Sequence, residues 1–461
     1  MIANQANKTN KGEYMFSKIN NIEGKIRLLF LIISAVLVLS VVFADPKSMS
    51  VVYFFFGIAA IFSAVIYLQL HFLWPERKAP ELKKYPSLTV LIPNRNYAKL
   101  LEKSLEAIFN MDYPKKYDII IIDDASTDNS VEIIERMIKK HKGKKIKFIK
   151  NTVNIGKAKN LNQAIRMTDS EIVACVDSDT YPSKNTLLRM VPHFYMGDNV
   201  GAVTGFITVA NPKNLIQRAQ ELEYYSAFGF TPKMMANING LMVAPGPMTL
   251  FRRKILIGVG GYDENNLTED MEIGMKLQRN HYVIEYCHNA IIPTEVPYTL
   301  KSLFNQRIRW YRGTIFNLNK YRDMLLNTDY KHFGMFSYPT CVSYVFFIIL
   351  TFSILMWHFA KELIFKGQIL MSGLSIESLD YLNYVASGPP IVFTSAFIVF
   401  FFMFMGLWAY YLYRSIKQAN VSLKLFHIPA ALAILFLYPF MVSVFYIISF
   451  IKEVYGSGKT W

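Results

Sequence analysis

Three cysteines in 461 residues, Cys175, Cys287 and Cys341, are too few and too scattered for a disulfide framework or a thiolate metal site. Their scarcity predicts reduced thiols in a chain that faces the cytosol. Charge is missing from every long apolar run, which excludes an intramembrane proton relay or ion path. No zinc-finger spacing or aromatic RNA-binding motif accompanies the basic residues, so nucleic acid is not an expected partner. A cleavable signal is not expected either, because the first apolar run starts near Leu28, too deep and too long. Gly456-Ser-Gly-Lys-Thr460 imitates the end of a P-loop. The position that needs its first glycine is Glu453, and the chain stops at Trp461 before any helix.

What is abundant is apolar. Hydrophobic residues make up 52% of the chain and aromatics 15%, crowded into two regions around an ordinary mixed segment. Five runs approach the ~20 residues that a helix needs to cross a bilayer: 28–44, 51–74, 339–360, 388–413 and 427–451. Lys and Arg total 50 against 34 Asp and Glu, a net charge of +16. Basic residues collect in 1–27, 75–84 and 414–426, whereas 361–387 holds two lysines against three acids. That bias places the central segment on the cytosolic side of a membrane. Pro429 and Pro439 are expected to interrupt the last run. Short amphipathic stretches in 299–338, such as 300–304 and 321–326, are expected along the inner membrane face.

The organisation expected is a cytosolic tail (1–27), a transmembrane hairpin (28–74), a catalytic domain (85–315), interfacial helices (316–338), further transmembrane helices (339–451) and a tail (452–461).

The central segment alternates. Strands are read at 88–92, 117–122, 145–150 and 171–176, with helices at 99–109, 130–140 and 157–166. This predicts an α/β domain with a doubly wound, mostly parallel sheet. Ligands bind beyond the carboxyl ends of such strands, and polar clusters fall there at 93–97, 123–128 and 177–180.

Asp177-Ser178-Asp179 follows an apolar strand, so two carboxylates can face one hard cation, Mg2+ or Mn2+. Asp124 can bind a nucleobase or ribose, with Asp128 or Ser130 left to cap the next helix. Lys157 starts a helix, where a cation and backbone N–H groups favour phosphate. In Thr268-Glu269-Asp270 a carboxylate can take a proton from an acceptor hydroxyl. Gln306, Arg309 and Trp310 share one side of a helix at i, i+3 and i+4. The guanidinium suits phosphate oxygens and the indole offers a platform for a sugar ring. Read one by one, these residues could equally be caps, solvated cations or an interfacial helix.

In order, Asp-Asp, Lys, Asp-x-Asp, Gly246–Arg253, Thr-Glu-Asp and Gln-x-x-Arg-Trp resemble the processive membrane members of glycosyltransferase family two. These are the cellulose, chitin, hyaluronan and poly-N-acetylglucosamine synthases. The resemblance implies a GT-A-type domain and an inverting transfer from a UDP-sugar. It implies that Asp124, Lys157, Asp177, Gln306 and Arg309 bind donor, that Asp179 binds the metal and that Asp270 is the base. It also implies that Trp310, Gly246 and Phe251 border the acceptor. The chain departs from the family at Pro93-Asn-Arg-Asn-Tyr-Ala98, where an acidic residue often stands.

The expected function is elongation of a polysaccharide with coupled export through the bilayer. One-sugar transfer to a lipid-linked acceptor is the alternative, and a transporter or receptor whose soluble domain only binds ligand is a third reading.

Overall fold

The computed structural model describes residues 78–372, 395–419, 421 and 427–455. The apolar runs at 28–44 and 51–74, the N-terminal tail, residues 388–394 of the fourth run and residues 456–461 of the C-terminal tail lie outside them. Two compact units divide the chain: 67–356 with 408–461, and 1–66 with 357–407.

The first unit is built on strands whose side chains, except in one edge strand, are largely buried on both faces. They are β1 (Leu88–Asn94), β2 (Asp118–Asp123), β3 (Lys145–Lys150), β4 (Ile172–Val176), β5 (Val200–Val209), β6 (Met248–Arg252) and β7 (Val283–Thr294). The run of four isoleucines in β2 suits a strand covered by helices on both sides. β3, which alternates exposed and half-buried residues, occupies the edge.

Between the strands run α1 (Ala98–Phe109), α2 (Ser130–Lys140), α3 (Lys157–Arg166), α4 (Leu215–Tyr224) and α5 (Glu269–Arg279). In α2 one stripe, Ile133, Ile134 and Met137, is buried. Glu132 in its first turn and Lys139 and Lys140 in its last complement the helix dipole. α3 starts after Gly156, whose φ of 90° is costly for any residue with a Cβ.

The strand order is β3-β2-β1-β4-β6-β5-β7. β1, β2, β3 and β4 are parallel neighbours, as are β5 and β7. β6 is antiparallel to both β4 and β5, so the sheet is mixed. That reversal has a use: the beginning of β6 lies at the same edge as the carboxyl ends of β1, β2 and β4. The Asp177 N–H donates to the Pro247 carbonyl there, at 3.2 Å.

Beyond the sheet, α6 (Leu300–Lys320) is one continuous 21-residue helix, opened by a reciprocal Thr299–Ser302 capping pair. The expected short interfacial stretch 300–304 is its first turn. Tyr321 and Met324, expected on a membrane face, are instead buried with Met271 and Met275 of α5. Three apolar helices follow: α7 (Tyr338–Ser372), α8 (Ser395–Gln418) and α9 (His427–Val454).

The prolines do not interrupt α9. A π turn at Ala433–Leu437 precedes Pro439 and contains the residue four positions before it. The wider turn accommodates the ring and the missing N–H without ending the helix. Among the described residues, α9 is long and apolar enough to cross a membrane, and 17% of its apolar stretch is buried.

Candidate active site

Four chain segments meet at the carboxyl edge of the sheet. Lys157, at the start of α3, lies 2.6 Å from Asp177 Oδ1 and 2.9 Å from Glu269 Oε1. One ammonium thus joins the end of β4 to the start of α5. Gly246 completes the wall: a Cβ there would stand 2.9 Å from Asp177 Oδ2 and 3.0 Å from Lys157 Nζ. A small cavity is lined by Lys157, Asp177, Gly246, Tyr262, Glu269 and Asp270, among others.

The charges act on one another strongly. Burial opposes the Lys157 charge, but Asp177 and Glu269 outweigh it and hold its pKa well above the lysine range. Burial opposes the Glu269 carboxylate too, yet Lys157 and Arg309 keep its pKa low. For Asp270, burial and the adjacent Glu269 charge prevail and the pKa is raised. Burial and then Asp177 push Asp179 up to about 7.

Asp179 is held by the end of β7. Its carboxylate accepts weakly from Thr294 Oγ1 at 3.4 Å, and its carbonyl accepts from the Glu295 N–H at 3.2 Å. Asp177 and Asp179 form a pair of hard oxygen donors with one carboxyl kept from ionising freely by the other. A divalent cation would relieve that opposition. Among the described residues no group of three His, Cys, Asp or Glu surrounds this point. Asp179, with Asp177 beside it, would hold such an ion through hard carboxylate oxygens.

Asp124 is at the edge but occupied. It accepts from the backbone of Ile155 and Gly156, both at 2.9 Å, and from Asn151 Nδ2 at 3.1 Å. In this arrangement it shapes the 151–156 loop that launches α3. Asp128 accepts from Ser130 N at 3.1 Å and also from Ala98 N at 3.0 Å, so it serves the starts of α2 and α1 together.

Gly313 and Asn317 bring α6 to the site. Any Cβ at Gly313 would collide with the Thr268 side chain. Asn317 Nδ2 donates to Thr268 Oγ1 at 3.0 Å, and Asn266 Nδ2 donates to Asn317 Oδ1 at 2.7 Å. Arg309 Nη1 then reaches the Leu267 carbonyl at 3.1 Å. Gln306 and Trp310 are partly exposed on the same helix.

Phe251 is a correction. It is fully buried in β6, paired with Val173 and Ala202 and edge-on to Tyr262 at 5.9 Å. Its ring is core and cannot border an acceptor without the sheet opening.

The sequence reading passed over several participants. Glu269, given no role of its own within Thr268-Glu269-Asp270, is the second carboxylate on Lys157. Tyr97 stands close enough to Asp179, Asp177, Lys157 and Arg309 for their charges to act on its hydroxyl; Asp179 first, then burial, raises its pKa. The only signal for Tyr97 was its place in the departure at 93–98. Asn162 also escaped notice: it holds the Gly-rich turn by bonds to Tyr262 N and O, both 2.9 Å.

The Glycosyl transferase family 2 model matches residues 89–260. Poly-beta-1,6-N-acetyl-D-glucosamine synthase of Staphylococcus epidermidis is 32% identical over 233 residues, 50% of this chain and 56% of that protein. The enzyme of the same name from Staphylococcus aureus strain COL is 31% identical over 239 residues, 52% and 56% of the two chains. The matched region thus spans about half the length of these curated relatives. A mannosyltransferase from Pyrobaculum calidifontis, solved in complex with GDP-Man and Mn2+, shares the fold with a TM-score of 0.53 at 19% identity. That likeness covers 85% of this chain and 99% of the other. These findings support a glycosyltransferase similar to the polysaccharide synthases of family 2, built on a GT-A-like α/β fold with a mixed seven-stranded sheet.

Proposed function

We propose that the chain is a membrane-embedded, inverting glycosyltransferase that extends a polysaccharide from a UDP-sugar and exports it across the bilayer. The observation that carries this reading is the Lys157 bridge between Asp177 and Glu269. It joins the Asp-x-Asp strand end to the helix whose second residue, Asp270, is the candidate base.

A divalent ion held by Asp179, with Asp177 beside it, would neutralise charge on the departing diphosphate. Lys157 and Arg309 bind phosphate oxygens, with Gln306 beside them and Trp310 under the acceptor sugar. Asp124 orders the loop along the nucleotide, and Gly246 leaves room where a side chain would block the site. Asp270 accepts the proton of the acceptor hydroxyl as that oxygen bonds to the anomeric carbon. The bond to the diphosphate breaks, and its electron pair leaves with UDP. A carboxyl whose pKa is raised by burial is the stronger base.

Membrane embedding is supported by α9 and by the five apolar runs of the sequence. The names of the relatives make UDP-N-acetylglucosamine the first donor to test.

A second reading, transfer of a single sugar to a lipid-linked acceptor, draws on an apolar groove. It is lined by Phe228, Met235, Met242, Tyr286 and Tyr344 and reaches Pro245, next to Gly246.

Both readings are tested by UDP release from a panel of UDP-sugars with Mn2+ or Mg2+, followed by sizing of labelled product. Polymer supports elongation, and a discrete organic-soluble product supports the second reading. Absence of UDP release from every donor would overturn both, leaving a domain that only binds.

A further inference from the structure

We propose that Arg307 is a positioning residue, holding Gln306 and Trp310 in place through helix α9. This inference rests on the reading that Gln306 and Trp310 face the substrates.

Arg307 is the largest fully buried side chain among the described residues, and each of its guanidinium nitrogens donates a hydrogen bond. Nη2 donates to Glu223 Oε2 at 2.7 Å, and Nε donates to the Tyr438 hydroxyl at 3.1 Å. Nη1 donates to Gln306 Oε1 at 2.7 Å. The guanidinium carbon lies 4.2 Å from the centroid of the Trp310 ring. A planar cation thus orients the amide of one candidate site residue and backs the indole of another.

Glu223 belongs to α4 and Tyr438 to α9, so the orientation is set by elements outside the glycosyltransferase family match at 89–260 and inside it together. The seat of α6 on α9 is extensive. Tyr311 stacks on Tyr446 with centroids 4.0 Å apart, Phe304 meets Phe445 at 5.5 Å, and Arg312 Nε pairs with Glu453 at 2.7 Å. Tyr438 lies immediately after the π turn of α9 and immediately before Pro439. The local backbone that places its hydroxyl is therefore the one irregular stretch of that helix.

Lysine retains the charge but not the flat, three-way fork. Tyr438→Phe removes the acceptor for Nε together with the hydroxyl's own contacts to Glu223 and Tyr311. If Arg307 acts through Gln306 and Trp310, both changes should slow turnover per folded site and weaken nucleotide binding, in which Gln306 shares, by a smaller factor. A merely structural role would lower yield and melting temperature without changing that turnover.

The experiment uses the full chain in lipid nanodiscs, with UDP release, acceptor KM and UDP binding measured for Arg307→Lys, Tyr438→Phe, Trp310→Phe and the Arg307→Lys/Trp310→Phe double variant. The expected result is a loss of about 10- to 100-fold in kcat for Arg307→Lys, with a smaller loss of UDP affinity through the released Gln306. Tyr438→Phe should show the same pattern more mildly and keeps the test decisive if the lysine variant does not fold. The double variant should be no slower than the slower single, because both act on one unit.

Wild-type turnover in both Arg307→Lys and Tyr438→Phe, or losses that multiply in the double variant, would overturn the proposal while leaving the assignment of Trp310 intact. Full transfer by Trp310→Phe would instead remove the assignment of Trp310, and this inference with it.

Discussion

Gly313 lies directly against the side chain of Thr268, so close that no other residue could occupy its place without moving one of two helices. The contact fixes the distance between Arg309 on α6 and Asp270 on α5. Gly313→Ala is expected to destabilise the domain by about 1–3 kcal/mol through overpacking and to reduce transfer as α6 is pushed from the site. Thermal unfolding and UDP release check it. An alanine variant with unchanged melting and rate would show that the helices separate freely.

Asp270→Asn should abolish transfer while UDP still binds, because only the proton acceptor is removed. A loss of about 10²- to 10⁴-fold is expected for a general base. Steady-state UDP release beside a nucleotide-binding titration separates the two effects, and retained activity would refute the assignment.

The same residue sets a pH dependence. Burial and Glu269 raise the Asp270 pKa, and the base works only as the carboxylate. Activity should therefore be present at higher pH and fall as pH drops through that raised value, at a pH above the ~3.9 of an ordinary aspartate. A kcat/KM profile for the acceptor records this limb. A flat profile down to the ordinary aspartate range would exclude Asp270.

Asp179→Asn removes one of the two hard donors on the Asp-x-Asp. UDP binding should lose most of its dependence on Mn2+ or Mg2+, and chelation of the wild type should mimic the variant. Metal titrations of UDP affinity test this; identical titration curves would reject Asp179 as a ligand.

Phe251→Ala should cost about 3–5 kcal/mol of stability, the usual penalty for emptying a core aromatic site. The acceptor KM of the fraction that remains folded should not change. A raised acceptor KM without loss of stability would return Phe251 to the acceptor site.

The alternation of strands and helices up to residue 176 was legible because local signals agreed. Apolar β-branched runs end at polar turns, and amphipathic spacing follows each of them. Ser130–Lys140, Lys145–Lys150 and Lys157–Arg166 stand where periodicity puts them. β6 was not legible, because nothing within Met248–Arg252 says that its neighbours run the other way. Phe251 was misplaced for the same reason: a motif resembling an acceptor border gave its location in the chain but not which face of the sheet it would bury. Tyr321 and Met324 look amphipathic in isolation, and only the presence of Met271 and Met275 decides that they cover α5.

Order along the chain and residue type alone determined that carboxylates and a lysine would gather at strand ends and that apolar runs would flank the domain. Both are local properties, written in spacing and composition. Only the tertiary structure decided that Lys157 joins Asp177 to Glu269, that Asp124 is taken up by a loop, and that Arg307 stands behind Trp310. They belong with contacts between residues up to 141 positions apart, as from Arg312 to Glu453. At such separations the partner is chosen by how whole elements pack and by which buried charges need neutralising, and no short stretch of chain contains either fact.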